Sequence, residues 1–105
     1  MAGAQIPTKQ LGIGTLATTP KIYTVSMPTA DTEYSQTLTD NTKKLIIKNE
    51  TGGDLKLAFV ATESGTNFIT IPGGASLSED LINFTGTLYF QSPLDTQTVV
   101  IREWT

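Results

Sequence analysis

An all-β domain is the fold this sequence predicts: a small antiparallel β-sandwich (jelly-roll-like) or barrel of about seven or eight short strands, preceded by an extended N-terminal arm. Three observations predict it. From Lys21 onward, apolar and polar residues alternate in short runs, the period of a strand with one buried face. Turn residues interrupt those runs roughly every 8–12 residues. No stretch of helical period separates them, so parallel βαβ units are disfavoured.

The elements follow in order. Residues 1–20 carry Gly3, Gly12, Gly14, Pro7 and Pro20 among small side chains, and prolines interrupt strand pairing. Two readings stand for this segment: a disordered terminus, or an arm that orders on another subunit by adding a strand. In the second, Ile6, Leu11, Ile13 and Leu16 are its apolar contacts. The folded domain then spans residues 21–105.

Residues 21–27 (KIYTVSM) place Tyr23, Val25 and Met27 on one face. A turn at Pro28, Ala30 and Asp31 leads to residues 33–38, with Tyr34, Gln36 and Leu38 together. After the polar break Thr39-Asp40-Asn41, residues 43–49 set Leu45 and Ile47 against Lys44, Ile46 and Lys48. Thr51-Gly52-Gly53-Asp54 then reads as a tight turn whose glycines supply positive φ. It predicts a β-hairpin between residues 43–49 and 54–60, with Leu55, Leu57 and Phe59 sharing a face. Residues 67–71 form a strand stopped by Pro72-Gly73-Gly74. Residues 75–82 suit either a strand or one helical turn. Residues 86–92 and 97–104 are strands separated by Pro93-Leu94-Asp95-Thr96.

Composition narrows the function. A chain of 105 residues supports one domain with a thin core. Hydrophobic residues make up 38% and charged residues 16%; both shares are low, and the abundant Thr suits strands with wetted faces. The chain contains no cysteine and no histidine, which removes thiolate chemistry, the commonest general base and the commonest metal ligands. A serine or threonine nucleophile needs a base, and no Gly-x-Ser-x-Gly elbow occurs. Of the acidic pairs, Glu79-Asp80 points to opposite faces of a strand, while Asp31 and Glu33 read as solvated turn charges. No Asp-x-Asp-x-Asp-Gly calcium loop is present, and the glycine pairs 52–53 and 73–74 lack the Gly-Lys-Ser/Thr of a phosphate loop. The reading is therefore a non-enzymatic chain without metal or cofactor.

The net charge is −3, and only Lys43, Lys44 and Lys48 cluster, so nucleic acid is not the expected partner. No signal-peptide core and no membrane-length apolar run is seen, which points to cytoplasmic synthesis. The sequons at Asn49 and Asn83 matter only in a secretory pathway. Aromatic faces stack on sugars, so Tyr23, Tyr34, Tyr89 and Trp104 are candidate partner or carbohydrate contacts; the plainer reading has each tyrosine covering a sheet edge with its hydroxyl wet.

Tyr23-Thr24-Val25, the run Asp31 to Ser35, Leu55 to Val60, Ile71-Pro72-Gly73-Gly74, Leu88 to Pro93 and the closing Glu103-Trp104 carry a resemblance. With them, residues 21–104 resemble a group of small virion proteins of tailed bacteriophages. The resemblance rests on strand and turn motifs and transfers no binding residue. It implies a virion component made in a bacterial host cytoplasm: a capsid decoration or cement protein, or a head-fibre-like accessory piece. Its partner would be the major capsid protein or another virion protein. It also implies a homo-oligomer, with a trimer favoured by analogy to decoration proteins at capsid three-fold positions. The competing reading is a carbohydrate-binding or receptor-binding module of a phage fibre or tail.

Overall fold

The computed structural model describes residues 19–105; the arm residues Ile6, Leu11, Ile13 and Leu16 lie outside them. Eight strands follow: β1 (Pro20–Met27), β2 (Tyr34–Thr37), β3 (Lys44–Asn49), β4 (Leu55–Ala58), β5 (Ile69–Ile71), β6 (Ser76–Glu79), β7 (Thr87–Gln91) and β8 (Gln97–Trp104). They form two four-stranded sheets, ordered β1-β8-β3-β6 and β2-β7-β4-β5, here called sheets A and B. Every pairing between these strands is antiparallel. The pairs are nested: β1 with β8, β2 with β7, β3 with β6 and β4 with β5. Every connection except β4–β5 changes sheet. This is a jelly roll, a long antiparallel ribbon wound over itself into a sandwich.

The alternation in the sequence sets which side chains the two sheets enclose. Met27, Leu45, Ile47, Leu55, Leu57, Leu88, Phe90, Val99 and Ile101 come from alternate positions of five strands and are all buried. Leu38 and Ile71 complete the core, with Tyr23, Val25 and Tyr34 packed against it. Burying a large aliphatic or aromatic side chain contributes about 1.5–3 kcal/mol, so this single layer carries most of the favourable free energy.

The expected hairpin between residues 43–49 and 54–60 does not form. β3 lies in sheet A and β4 in sheet B, and the Thr51–Asp54 segment arches from one sheet to the other. The glycines there are not at positive φ; among the described glycines only Gly74 is, at φ 80°. What holds the arch is Asn49, fully buried at the end of β3. Its amide donates to the carbonyls of Gly53 (2.9 Å) and Ile71 (2.7 Å) and accepts from the Thr51 amide (2.8 Å). The apolar faces of β3 and β4 thus oppose each other across the core, where a hairpin would set them side by side on one sheet.

Smaller departures have local causes. β1 starts at Pro20, one residue before the expected domain start, because a proline at the first position of an edge strand sacrifices no ladder bond. β4 ends at Ala58, leaving Phe59 half exposed beyond it. Within residues 75–82, Ser76–Glu79 form the edge strand β6 and no helical turn forms.

Candidate interaction surface

The outer face of sheet A is built by the residues that alternate with the core positions. Reading across the registers, Ile22 lies beside Arg102 and Arg102 beside Ile46; Thr24 lies beside Val100 and Val100 beside Lys48; Trp104 lies beside Lys44. Apolar side chains and cations therefore interleave over one face of the sheet. Ile22 is 65% exposed. The Lys44 ammonium sits 5.4 Å from the centre of the Trp104 ring and 3.6 Å from an Asp80 carboxylate oxygen. The Lys48 ammonium donates to the Gly74 carbonyl at 2.7 Å. Both lysines are thus held in place while their charge stays at the surface. A cationic, partly apolar face on a chain of net charge −3 is a local reversal of the overall charge.

The four candidate aromatic residues do not converge. Tyr23 and Tyr34 stand on the inner faces of β1 and β2 and pack against the core. The Tyr23 hydroxyl lies 3.3 Å from that of Thr39, and the Tyr34 hydroxyl accepts from the Thr29 amide at 3.1 Å. Tyr89 is half-buried on the outer face of sheet B, between Ser35 and Ala58. Trp104 closes the outer face of sheet A. No pair of these rings forms one platform.

Two carboxylates have roles that composition did not indicate. Glu33, expected as a solvated turn charge, reaches across to the loop after β4. Its oxygens accept from the Thr62 amide (2.7 Å), the Ser64 amide (3.0 Å) and the Ser64 hydroxyl (2.6 Å). That Ser64 hydroxyl bond, with the two amides, holds the Glu33 carboxyl below its usual range against the opposing effect of burial. Thr62 is held there at φ 69°, a left-handed conformation unusual for a β-branched residue. Glu103 faces the interior from β8, only 1% exposed, and accepts from the Thr39 amide at 3.0 Å. The strict alternation Val99, Ile101, Glu103 was the signal for its inward position. Asp80 is engaged with Lys44. The acidic groups described here act as anchors for loops and surface cations.

On the β6 side of the sandwich, Leu45, Phe59, Leu77, Ile82 and Phe84 line an open groove of about 360 Å³ with Glu79 and Asn83. The Phe59 and Phe84 rings meet edge to face with centroids 6.0 Å apart. Comparison of the chain with protein-family models, with curated proteins and with solved structures finds no match in any of the three.

Proposed function

We propose that this chain is a non-enzymatic structural protein of a bacteriophage particle, a decoration or cement protein that binds the capsid surface in many copies. The observation that carries the reading is the outer face of sheet A, where Lys44, Lys48 and Arg102 interleave with Ile22, Ile46, Val100 and Trp104. Such a face suits an acidic, partly apolar protein surface: the cations orient the encounter and the apolar side chains bury area. The N-terminal arm, through Ile6, Leu11, Ile13 and Leu16, and the sheet edges are the further contacts. Each contact is weak alone, and repetition on a lattice makes them act together through effective concentration. The partner is the major capsid protein or another virion protein, and the working location is the virion.

A jelly roll serves both capsid proteins and lectins, so the fold leaves a carbohydrate-binding module as the competitor. Against it stands the dispersal of Tyr23, Tyr34, Tyr89 and Trp104 over separate surfaces.

The test is reconstitution on particles that lack the chain. The double variant Lys48→Glu, Arg102→Glu keeps the fold, because both side chains lie outside the core, and loses at least about tenfold in affinity for the particle, read as occupancy across a titration, as expected when about 1.4 kcal/mol or more of interface free energy is removed. Undiminished occupancy, or saturable binding to a glycan array by the purified domain, overturns the reading.

A further inference from the structure

We infer that the free edge of β1 is a self-association site that takes β1 of a second copy, antiparallel, about a two-fold axis through Thr24. The inference starts from which backbone groups of β1 are used. Thr19 and Thr105 exchange both their backbone hydrogen bonds, at 3.3 and 3.0 Å. In an antiparallel ladder that pattern repeats every second residue. Along the β1–β8 register, Lys21, Tyr23, Val25 and Met27 therefore point their N–H and C=O groups at β8. Ile22, Thr24 and Ser26 point theirs away from the sheet, where sheet A ends. Among the described residues nothing covers this edge, and an edge of this kind is a template for another strand.

Three features select a second copy as the occupant. First, Pro20 and Pro28 stand four residues on either side of Thr24, and the Pro28 carbonyl is already taken by the Thr96 amide at 3.0 Å. Neither has an N–H, so they bracket the pairing unit at Ile22, Thr24 and Ser26. A two-fold axis at Thr24 sets Pro20 of one copy against Pro28 of the other and wastes no donor. Ile22 then pairs with Ser26 of the second copy, and Thr24 with its own counterpart, each pair exchanging two hydrogen bonds. Second, Lys21 is the only charged residue of β1. In this register it falls opposite Met27, so like charges do not meet. Third, the three paired residues carry their side chains on the outer face of sheet A, and a Thr–Thr cross-strand pair is a favourable one.

The two sheets A become one eight-stranded sheet, and the cationic faces of both copies become one continuous docking surface. In that respect the inference rests on the function proposed above and makes it bivalent. It also replaces the three-fold arrangement that analogy favours with a two-fold one. Edge pairing alone buries less than the roughly 1,000 Å² of a stable interface. The free chain is therefore a weak dimer, and a trapping experiment is the right one.

The chain has no cysteine, so single thiols can be placed without background. Paired positions in the hydrogen-bonded register lie about 5.5 Å apart between Cα atoms, within the roughly 4.4–6.8 Å a disulfide spans. Thr24→Cys is expected to oxidise to a disulfide dimer at least about tenfold faster than Leu94→Cys, an exposed loop control, through the raised local concentration of the partner thiol. Ile22→Cys and Ser26→Cys lie about 14 Å from their own counterparts and do not self-link, yet link to each other when mixed. Thr24→Cys oxidising no faster than the control, or sedimentation of the unmodified chain at high concentration giving only monomer or a trimer, overturns the inference. Particle attachment is scored separately: a Thr24-linked dimer that ignores particles sinks the proposed function and leaves the self-association site standing.

Discussion

Glu33 and Asn49 show how single polar residues fix segments that the hydrophobic pattern leaves open. The Glu33 carboxylate ties the turn before β2 to the loop after β4 through three hydrogen bonds. Its pKa is lowered in the folded state, so its contribution to stability is present at and above the ordinary carboxylate range. That contribution is lost as pH falls through the lowered folded value. Glu33→Gln is therefore expected to lower the melting temperature at pH 7 by about 4–8 °C, the effect of losing about 1 kcal/mol from a domain of this size. At a pH below the folded pKa the two proteins should melt nearly together. Thermal denaturation followed by circular dichroism at both pH values checks this, and a gap that persists in acid would contradict the assignment. Asn49→Ala removes a buried amide that satisfies two carbonyls and one N–H. The Gly53 carbonyl keeps its bond from the Thr51 hydroxyl at 2.6 Å, but leaving a buried group unpaired costs about 1–3 kcal/mol, so a loss near the top of that range is expected in urea denaturation.

At the level of elements, the arch between β3 and β4 makes opposite demands on neighbouring glycines. Gly52 is not at positive φ, and a Cβ there meets only the Leu94 side chain at an ordinary 3.5 Å. Gly73 would bring a Cβ within 3.1 Å of the Thr51 carbonyl oxygen and 3.2 Å of that of Gly53, both backbone atoms. Gly52→Ala is expected to be neutral or to stabilise by up to about 1 kcal/mol, because it restricts the unfolded chain. Gly73→Ala destabilises, by about 1–3 kcal/mol, in the manner of an overpacked contact. A tight hairpin at residues 51–54 would reverse the Gly52 result, so chemical denaturation of the two variants separates the two structures of this link.

For the whole molecule, the nested pairing makes folding a long-range event. β1 pairs with β8 although they stand at opposite ends of the described chain, and Trp104, the only tryptophan, sits on that last strand. Topologies dominated by such distant pairings fold in about milliseconds to seconds. Stopped-flow refolding followed by Trp104 fluorescence is expected to show its main phase in that window; a dominant microsecond phase would contradict a wound ribbon. The same topology places both ends of the described chain together at the edge of sheet A, where Thr19 bonds Thr105. Thr19, the first described residue, thus lies at the edge of the sheet whose outer face is proposed for docking.

Alternation alone determined that the protein is all-β and which side chains form its core. Tyr23, Val25 and Met27, Leu45 and Ile47, Leu55 and Leu57, and Leu88 and Phe90 face inward as the period of two requires, because burial of a strand face is written locally, residue by residue. Which strands pair was not legible. Gly52-Gly53 reads as a hairpin turn and serves an arch, since the choice was made by the distant carbonyl of Ile71 acting on Asn49. The face proposed for docking was equally hidden: Ile22, Arg102 and Ile46 become neighbours only when β8 inserts between β1 and β3. Local chemistry sets the period and face of each strand; the order of strands is set by which distant surfaces bury each other best, and that is a property of the folded whole.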